Sequence, residues 1–355
     1  MALTERYLIR NVAVAQCARP VDVLIEAGRI CGIAEHLEAG TSAVVEGRGG
    51  RLLPGLIDHH IHLFATAVRE DSIDVSPQSL QDGLTLEDLI RSAAAEHDEV
   101  RAIGYYESAG PLLDRWKLDA IVPDVPVRIQ YRTGSLWVLN SPALDRVLRG
   151  LSGVPSVFER DRTGRLTGRV WRGDVWLRSR DREAPPSLRR LGRRLARWGV
   201  TGVTDATATN DQAQVEALAQ AIARDGFPQS VMVMSQGELR LQGYAGMLVG
   251  PVKILLDDHD LPAIDELIGR MRLAHEWGRA VAVHCTTTTQ LALTMAALQE
   301  AGPMPGDRIE HGSVIPPEAV APLRELGVTV VTQPGFVRER GDQYLQDVPA
   351  AEHAD

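Results

Sequence analysis

The chain has 355 residues, 44% of them hydrophobic, and a formal net charge of −9. That length exceeds one typical domain and can bury a large core, while the acidic balance excludes the basic footprint of a nucleic-acid binder. Three scattered cysteines, Cys17, Cys31 and Cys285, exclude a disulfide scaffold or a cysteine metal site. No apolar run approaches the roughly 18 residues of a membrane-spanning helix. The first residues, Met1-Ala-Leu-Thr-Glu-Arg6, lack a signal-peptide pattern, so the expectation is a cytoplasmic enzyme with a small-molecule substrate and no membrane partner.

In chain order, residues 1–52 read as short strands separated by Gly, Pro and polar turns, beginning with Tyr7-Leu-Ile-Arg-Asn-Val-Ala-Val and Val21-Asp-Val-Leu-Ile-Glu. From Leu52 onward, short apolar runs alternate with helical segments, the pattern of parallel βα units. The expected strands are 52–58, 200–206, 230–235, 251–256, 280–284, 308–311 and 328–332. Helices fall between them, around 212–224, 262–277, 288–301 and 316–326. Seven strands in this order predict an α/β fold, a TIM-like (β/α)8 barrel whose eighth strand is missing, because 341–355 is polar. Residues 64–199 break the repeat and read as an insertion after the first barrel strand. They hold a helix near 85–96, strands at 100–106 and 125–132, and a hairpin turning at Thr163-Gly164. The basic amphipathic stretch Leu188 to Trp198 reads as a solvated helix face.

The run Pro54-Gly-Leu-Ile-Asp-His-His-Ile-His62 ends the first of these strands. Alternation puts His60 and His62 on one face, where two imidazoles can chelate one divalent metal. Alone, such a pair is more often structural. His284 ends Ala280-Val-Ala-Val-His, and His311 ends Arg308-Ile-Glu-His. Side chains at the carboxyl ends of barrel strands converge, which turns four separate histidines into one candidate metal cluster. Lys253, inside Pro251-Val-Lys-Ile-Leu-Leu, is one of only two lysines, with Lys117, among 38 basic residues. A buried ammonium is costly and cannot ligate a metal. Its carbamate, formed with carbon dioxide, would be anionic and could bridge two metals; the alternative is a salt bridge to Asp257 or Asp258. Cys285 should point away from His284 toward the helices, and His36, His97, His275 and His353 read as solvated.

These segments, with Gly250-Pro-Val-Lys-Ile254 and Gly306-Asp-Arg-Ile-Glu-His311, resemble the metal-dependent amidohydrolase superfamily, most closely its amidohydrolase 3 (YtcJ-like) branch. The resemblance covers nearly the whole chain. It implies that residues 1–52 are the amino-terminal part of a composite β-sandwich and 53–355 a metal-dependent hydrolase barrel carrying the 64–199 insertion. It implies metal ligation by His60, His62, carboxylated Lys253, His284 and His311. One or two divalent ions are expected, zinc first. The implied reaction is hydrolysis of an amide, N-acyl or cyclic imide C–N bond by metal-activated water.

The family's eighth-strand aspartate, its general base and acid, has no counterpart here, so no catalytic residue is assigned. Where relatives often place a histidine, in Arg132-Thr-Gly-Ser-Leu-Trp137, this chain has Ser135. The short end reads as a piece of a longer enzyme; the alternative is a natural short form whose open barrel edge needs a partner chain. Candidate substrate contacts are Tyr105, Glu107, Trp137 and Gln333, and a homodimer is compatible with the sequence. Two other functions stay open: a non-catalytic or partner-dependent binding scaffold, and a metal-dependent deaminase.

Overall fold

The computed structural model describes residues 6–15, 17–80, 84–106, 112–132, 134–173, 176–177, 185–241, 244, 246–338, 341, 345 and 348–350. The chain divides into two compact units, Met1–Leu56 and Ile57–Asp355.

The first unit is a four-stranded sheet of β1 (Arg6–Val12), β2 (Val21–Glu26), β3 (Arg29–Ala34) and β4 (Ala43–Glu46), ordered β3-β2-β1-β4. Ala27 and Gly28, at φ 50° and 74°, form the tight turn between β2 and β3, a left-handed pair that suits the twist of a hairpin. Val12, Val21 and Val23 form its core. The buried Asp22 carboxylate accepts the backbone N–H of Asn11 at 3.0 Å and of Leu37 at 3.1 Å. It thereby ties the following loop to β2.

The second unit begins at Ile57, within β5 (Leu56–Ile61), and continues with α1 (Leu63–Glu70). The insertion then builds a sheet of its own. Its elements are β6 (Ile73–Asp74), α2 (Leu86–Glu96), β7 (Val100–Tyr105), α3 (Arg115–Ile121), β8 (Val127–Tyr131), β9 (Leu136–Leu139), α4 (Ser141–Leu148), β10 (Phe158–Arg160) and β11 (Leu166–Trp171). The strand order is β10-β11-β9-β8-β7-β6. All four residues of β9 are buried, because apolar clusters cover both faces of the sheet. Gly168 sits at φ +84° where β11 passes β9; a Cβ there would stand 2.3 Å from the Leu139 carbonyl oxygen, so only glycine fits.

The chain then returns through α5 (Arg189–Arg197) to β12 (Val200–Asp205), α6 (Gln212–Asp225), β13 (Ser230–Ser235) and β14 (Met247–Ile254). It continues with α7 (Ile264–Glu276), β15 (Val281–Cys285), α8 (Thr288–Ala301), β16 (Arg308–His311), α9 (Pro317–Glu325) and β17 (Thr329–Val331). β5 and β12 to β17 form one seven-stranded sheet, β17-β16-β15-β14-β13-β12-β5, that nearly closes as a barrel. Pairing from β12 to β17 is parallel.

Two barrel strands differ from the sequence reading by more than one residue at an end. β5 starts at Leu56 rather than 52, because Pro54-Gly55 delays it and the strand runs on through the histidines. β14 starts at Met247, and its pairing with β13 shifts register between Val233↔Val249 and Ser235↔Val252, which absorbs Gly250 and Pro251.

The barrel's two faces follow from the period-2 pattern. Val252, Ile254, Val281, Val283, Cys285 and Ile309 join the apolar core that packs on α7, α8 and α9. The intervening residues Lys253, Ala282 and His284 therefore point inward, where Ala282 meets Ala206 and Met234.

Asn140 holds the insertion together. It has no exposed surface, and its Oδ1 accepts the N–H of Val127 at 2.9 Å and of Ala143 at 3.1 Å. Its Nδ2 donates to the carbonyls of Val122 at 3.0 Å and Val125 at 2.8 Å. Asn140→Ala should cost about 3 kcal/mol, from the lost helix cap and the stranded buried groups. Urea unfolding should show a lower midpoint with an unchanged m-value; a loss below about 1 kcal/mol would contradict this assignment.

Candidate metal centre

β5 and the residue after it carry His60 and His62 on one face, with ring centroids 5.3 Å apart. His311 lies 4.7 Å from His60, and His284 lies 4.6 Å from His311. Four imidazoles from β5, β15 and β16 thus form one continuous chain at the carboxyl end of the barrel.

Alternation alone would not produce this arrangement. On β16, Arg308 and Glu310 occupy inward positions, so His311 should face the helices with Ile309. Its φ of +72° re-aims the ring toward His60 and His284. A left-handed residue that is not glycine is rare and costs about 1–3 kcal/mol, and such strain concentrates at functional sites.

The nitrogen atoms of three rings are oriented by partners. His60 Nδ1 makes a short contact with Glu310 Oε2. His311 Nδ1 lies 2.8 Å from Gln333 Oε1, and His62 Nδ1 lies 3.1 Å from Thr207 Oγ1. Glu310 and Gln333 place oxygens against Nδ1, an arrangement that suits an Nδ1–H tautomer of His60 and His311. In that tautomer the Nε2 lone pair of each ring would be the one offered to a metal.

Burial drives the His284 and His311 imidazoles down to about 4, assisted by neighbouring rings, and it lowers His62 as well. All three are therefore neutral near pH 7, the form that a metal needs. Lys253 is 2% exposed, and its Nζ has no hydrogen-bond partner among the described residues. Burial pulls its amine down to about 8, against the opposing pull of the Glu310 carboxylate. The salt-bridge alternative is not found: Asp257 pairs with Arg172 at 3.3 Å, and Asp258 accepts from Thr287 at 3.0 Å.

Among the described residues, no three His, Cys, Asp or Glu side chains already stand in a metal-holding arrangement. The histidines instead meet ring on ring. Neutral imidazoles with oriented Nδ1 atoms and an unpartnered buried amine are nonetheless the donor chemistry that a divalent ion requires.

Other candidates fall elsewhere. Tyr105 is 1% exposed and stacks edge-on against Tyr131 at 5.1 Å, inside the insertion core. Trp137 is 3% exposed, with the Arg101 guanidinium 4.8 Å from its ring. Both are corrected from substrate contacts to packing residues, because the inserted sheet is covered on both faces. Glu107 lies outside the described residues, as does His353. Gln333 reaches the cluster as the partner of His311. Cys285 is buried on the helix side, with Sγ 3.3 Å from Thr294 Oγ1. His275 is not solvated, since its Nε2 lies 3.1 Å from the buried Asp307 carboxylate.

The sequence reading missed two acids. Glu310 is fully buried, and Arg308 Nε pairs with its Oε1 while Arg308 Nη2 donates to the His59 carbonyl at 2.8 Å. Burial alone would raise the Glu310 carboxyl, but His60 and Arg308 hold it below its ordinary value. Asp205, at the end of β12, accepts the N–H of Leu63 at 2.8 Å and of Thr207 at 3.0 Å, and the Asn210 amide at 2.9 Å. It fixes both the turn after His62 and the loop bearing His62's partner. The available signal was an acid at or beside the carboxyl end of a barrel strand, next to His311 in one case and ending Val200-Thr-Gly-Val-Thr-Asp205 in the other.

The sequence profile of the "Amidohydrolase family" matches residues 43–355. An N-substituted formamide deformylase from Arthrobacter pascens is 27% identical over 241 residues, covering 59% of this chain and 43% of that protein. An imidazolonepropionase from Ectopseudomonas mendocina is 32% identical over 160 residues, covering 42% of this chain and 38% of its own length. The chain thus spans less than half the length of either relative. A crystal structure of an uncharacterized metal-dependent hydrolase from Pyrococcus horikoshii superposes with a TM-score of 0.72 at 18% identity, covering 96% of this chain and 77% of the other, which shows a shared fold. With the family profile spanning residues 43–355, the barrel and its histidine cluster included, the chain belongs to the amidohydrolase family.

Proposed function

We propose that this chain carries the metal centre of an enzyme that hydrolyses a C–N bond, in an amide, N-acyl or cyclic imide group, of a small molecule. The observation that carries this reading is the convergence of four imidazoles at the barrel end whose interior also holds the unpartnered amine of Lys253. The deformylase relative, named for N-substituted formamides, supports the same bond class.

His60, His62, His284 and His311 would hold one or two divalent ions, with zinc favoured by an imidazole-rich donor set. A bound ion supplies Lewis acidity, polarising a carbonyl oxygen and acidifying water. The chain's own residues do the rest. Gln333 and Thr207 fix the rings of His311 and His62. Lys253, with an amine pulled down to about 8, is neutral in only about a tenth of molecules at pH 7, a far larger share than for a free lysine. Its nitrogen lone pair can add to carbon dioxide, forming the N–C bond of a carbamate and releasing one proton. The carbamate would give the site one negative charge shared by two oxygens.

Metal analysis of the purified chain tests the reading, and folded protein that binds no divalent ion at neutral pH would overturn it. Lys253→Ala should lose most of its metal. Carbon-13 bicarbonate should give the wild type a carbamate carbon signal that is absent from this variant. Unchanged metal content in Lys253→Ala would reject the carbamate.

The pH dependence of the metal-free protein follows from the same groups. The imidazoles titrate near 4 when folded and near 6.5 when unfolded, so the unfolded chain binds more protons between these values. The imidazoles' contribution to stability is then full above about 6.5 and is lost as pH falls toward 4. Lys253 titrates near 8 when folded and near 10.5 when unfolded, which adds a rise in stability across that alkaline window. Thermal melts should show both trends, and Lys253→Met should flatten the alkaline one.

A further inference from the structure

We propose that Glu310 is the positioning residue of this centre: its carboxylate accepts the Nδ1 proton of His60 and so turns Nε2 of that ring toward the metal. The proposal rests on the metal reading above and adds a residue which that reading does not use.

Three features of the geometry carry it. Glu310 uses its two oxygens separately, Oε1 for Arg308 and Oε2 for His60, so neither bond can relax without loosening the other. Arg308 then reaches past the carboxylate to the carbonyl of His59, the residue preceding His60. One guanidinium thus registers both the backbone of β5 and the acid that orients its ring. Finally, β16 and β5 are not neighbours in the sheet, so this contact is made across the barrel interior rather than along the ladder.

The chemistry separates His60 from the other rings. His62 and His311 meet a neutral hydroxyl and a neutral amide, whereas His60 meets a carboxylate. A charged acceptor on Nδ1–H increases electron density at Nε2 and makes the ring a stronger donor. The surroundings amplify this, since the His60 side chain is 7% exposed and that of Glu310 is 0% exposed. A role limited to folding would lower the melting temperature of Glu310→Gln without moving its zinc affinity.

The test measures zinc affinity of the folded protein by chelator competition, with melting of the metal-free forms recorded separately. Glu310→Gln keeps the volume and an acceptor oxygen but removes the charge. Its zinc affinity should fall by about 10–100-fold, the range for losing such an orienting partner. Folded Glu310→Gln that binds zinc as tightly as the wild type overturns the proposal, whatever its melting temperature. Should this variant fail to fold, nitrogen-15 spectra of histidine-labelled wild type decide, with His60 assigned by comparison with His60→Gln. His60 should be the Nδ1–H tautomer in the metal-free protein; an Nε2–H tautomer overturns the proposal. Wild type that binds no zinc or other divalent ion overturns the metal reading and this inference together, whereas tight binding by both proteins overturns the inference alone.

Discussion

Glu310 places a carboxylate in the dry interior of the barrel, and its need for compensation organises the side chains around it. An unpaired charge there would be prohibitively expensive, and removing one partner of a buried pair costs about 3–5 kcal/mol. Arg308 and His60 therefore have little freedom, and the Arg308 bond to the His59 carbonyl carries that restriction into β5. The charge balance left behind is informative. Arg308 and Glu310 offset one another, and His284 and His311 are held neutral by burial. A divalent cation entering this interior brings uncompensated positive charge. Carbon dioxide capture by Lys253 would replace an amine that is mostly protonated near pH 7 with an anion, which links two features that otherwise look unrelated.

Much of the barrel was legible because buried parallel strands have a simple grammar. Val252, Ile254, Val281 and Val283 mark the face that meets the helices, so Lys253 and His284 had to face inward. The same argument put His60 and His62 together. His311 was placed in the cluster by its position at a strand end, but the alternation rule read strictly would have turned it outward. Only the left-handed backbone at that residue reconciles the two, and no local sequence signal specifies it.

The losses have two causes. Glu310 acts on a residue 250 positions away and Asp205 on one 142 positions away, and such pairings leave no periodic trace in the chain. Tyr105 and Trp137 were misread for the opposite reason. Their local context, near strand ends in an insertion, resembles that of exposed contacts. The insertion instead has a double-sided sheet of its own, which consumes its aromatic residues as core.

The Asp205 clamp also bears on how such a protein can diversify. The chain leaves the barrel after His62, and its first amide in α1, that of Leu63, is fastened to the carboxylate ending the next barrel strand. Everything between that amide and the start of β12 is an excursion whose departure point is pinned. Segments of different length or composition can be substituted there while the two first-strand histidines keep their registration. A single buried acid therefore decouples the part of the chain free to evolve new recognition from the part that must hold its atoms still.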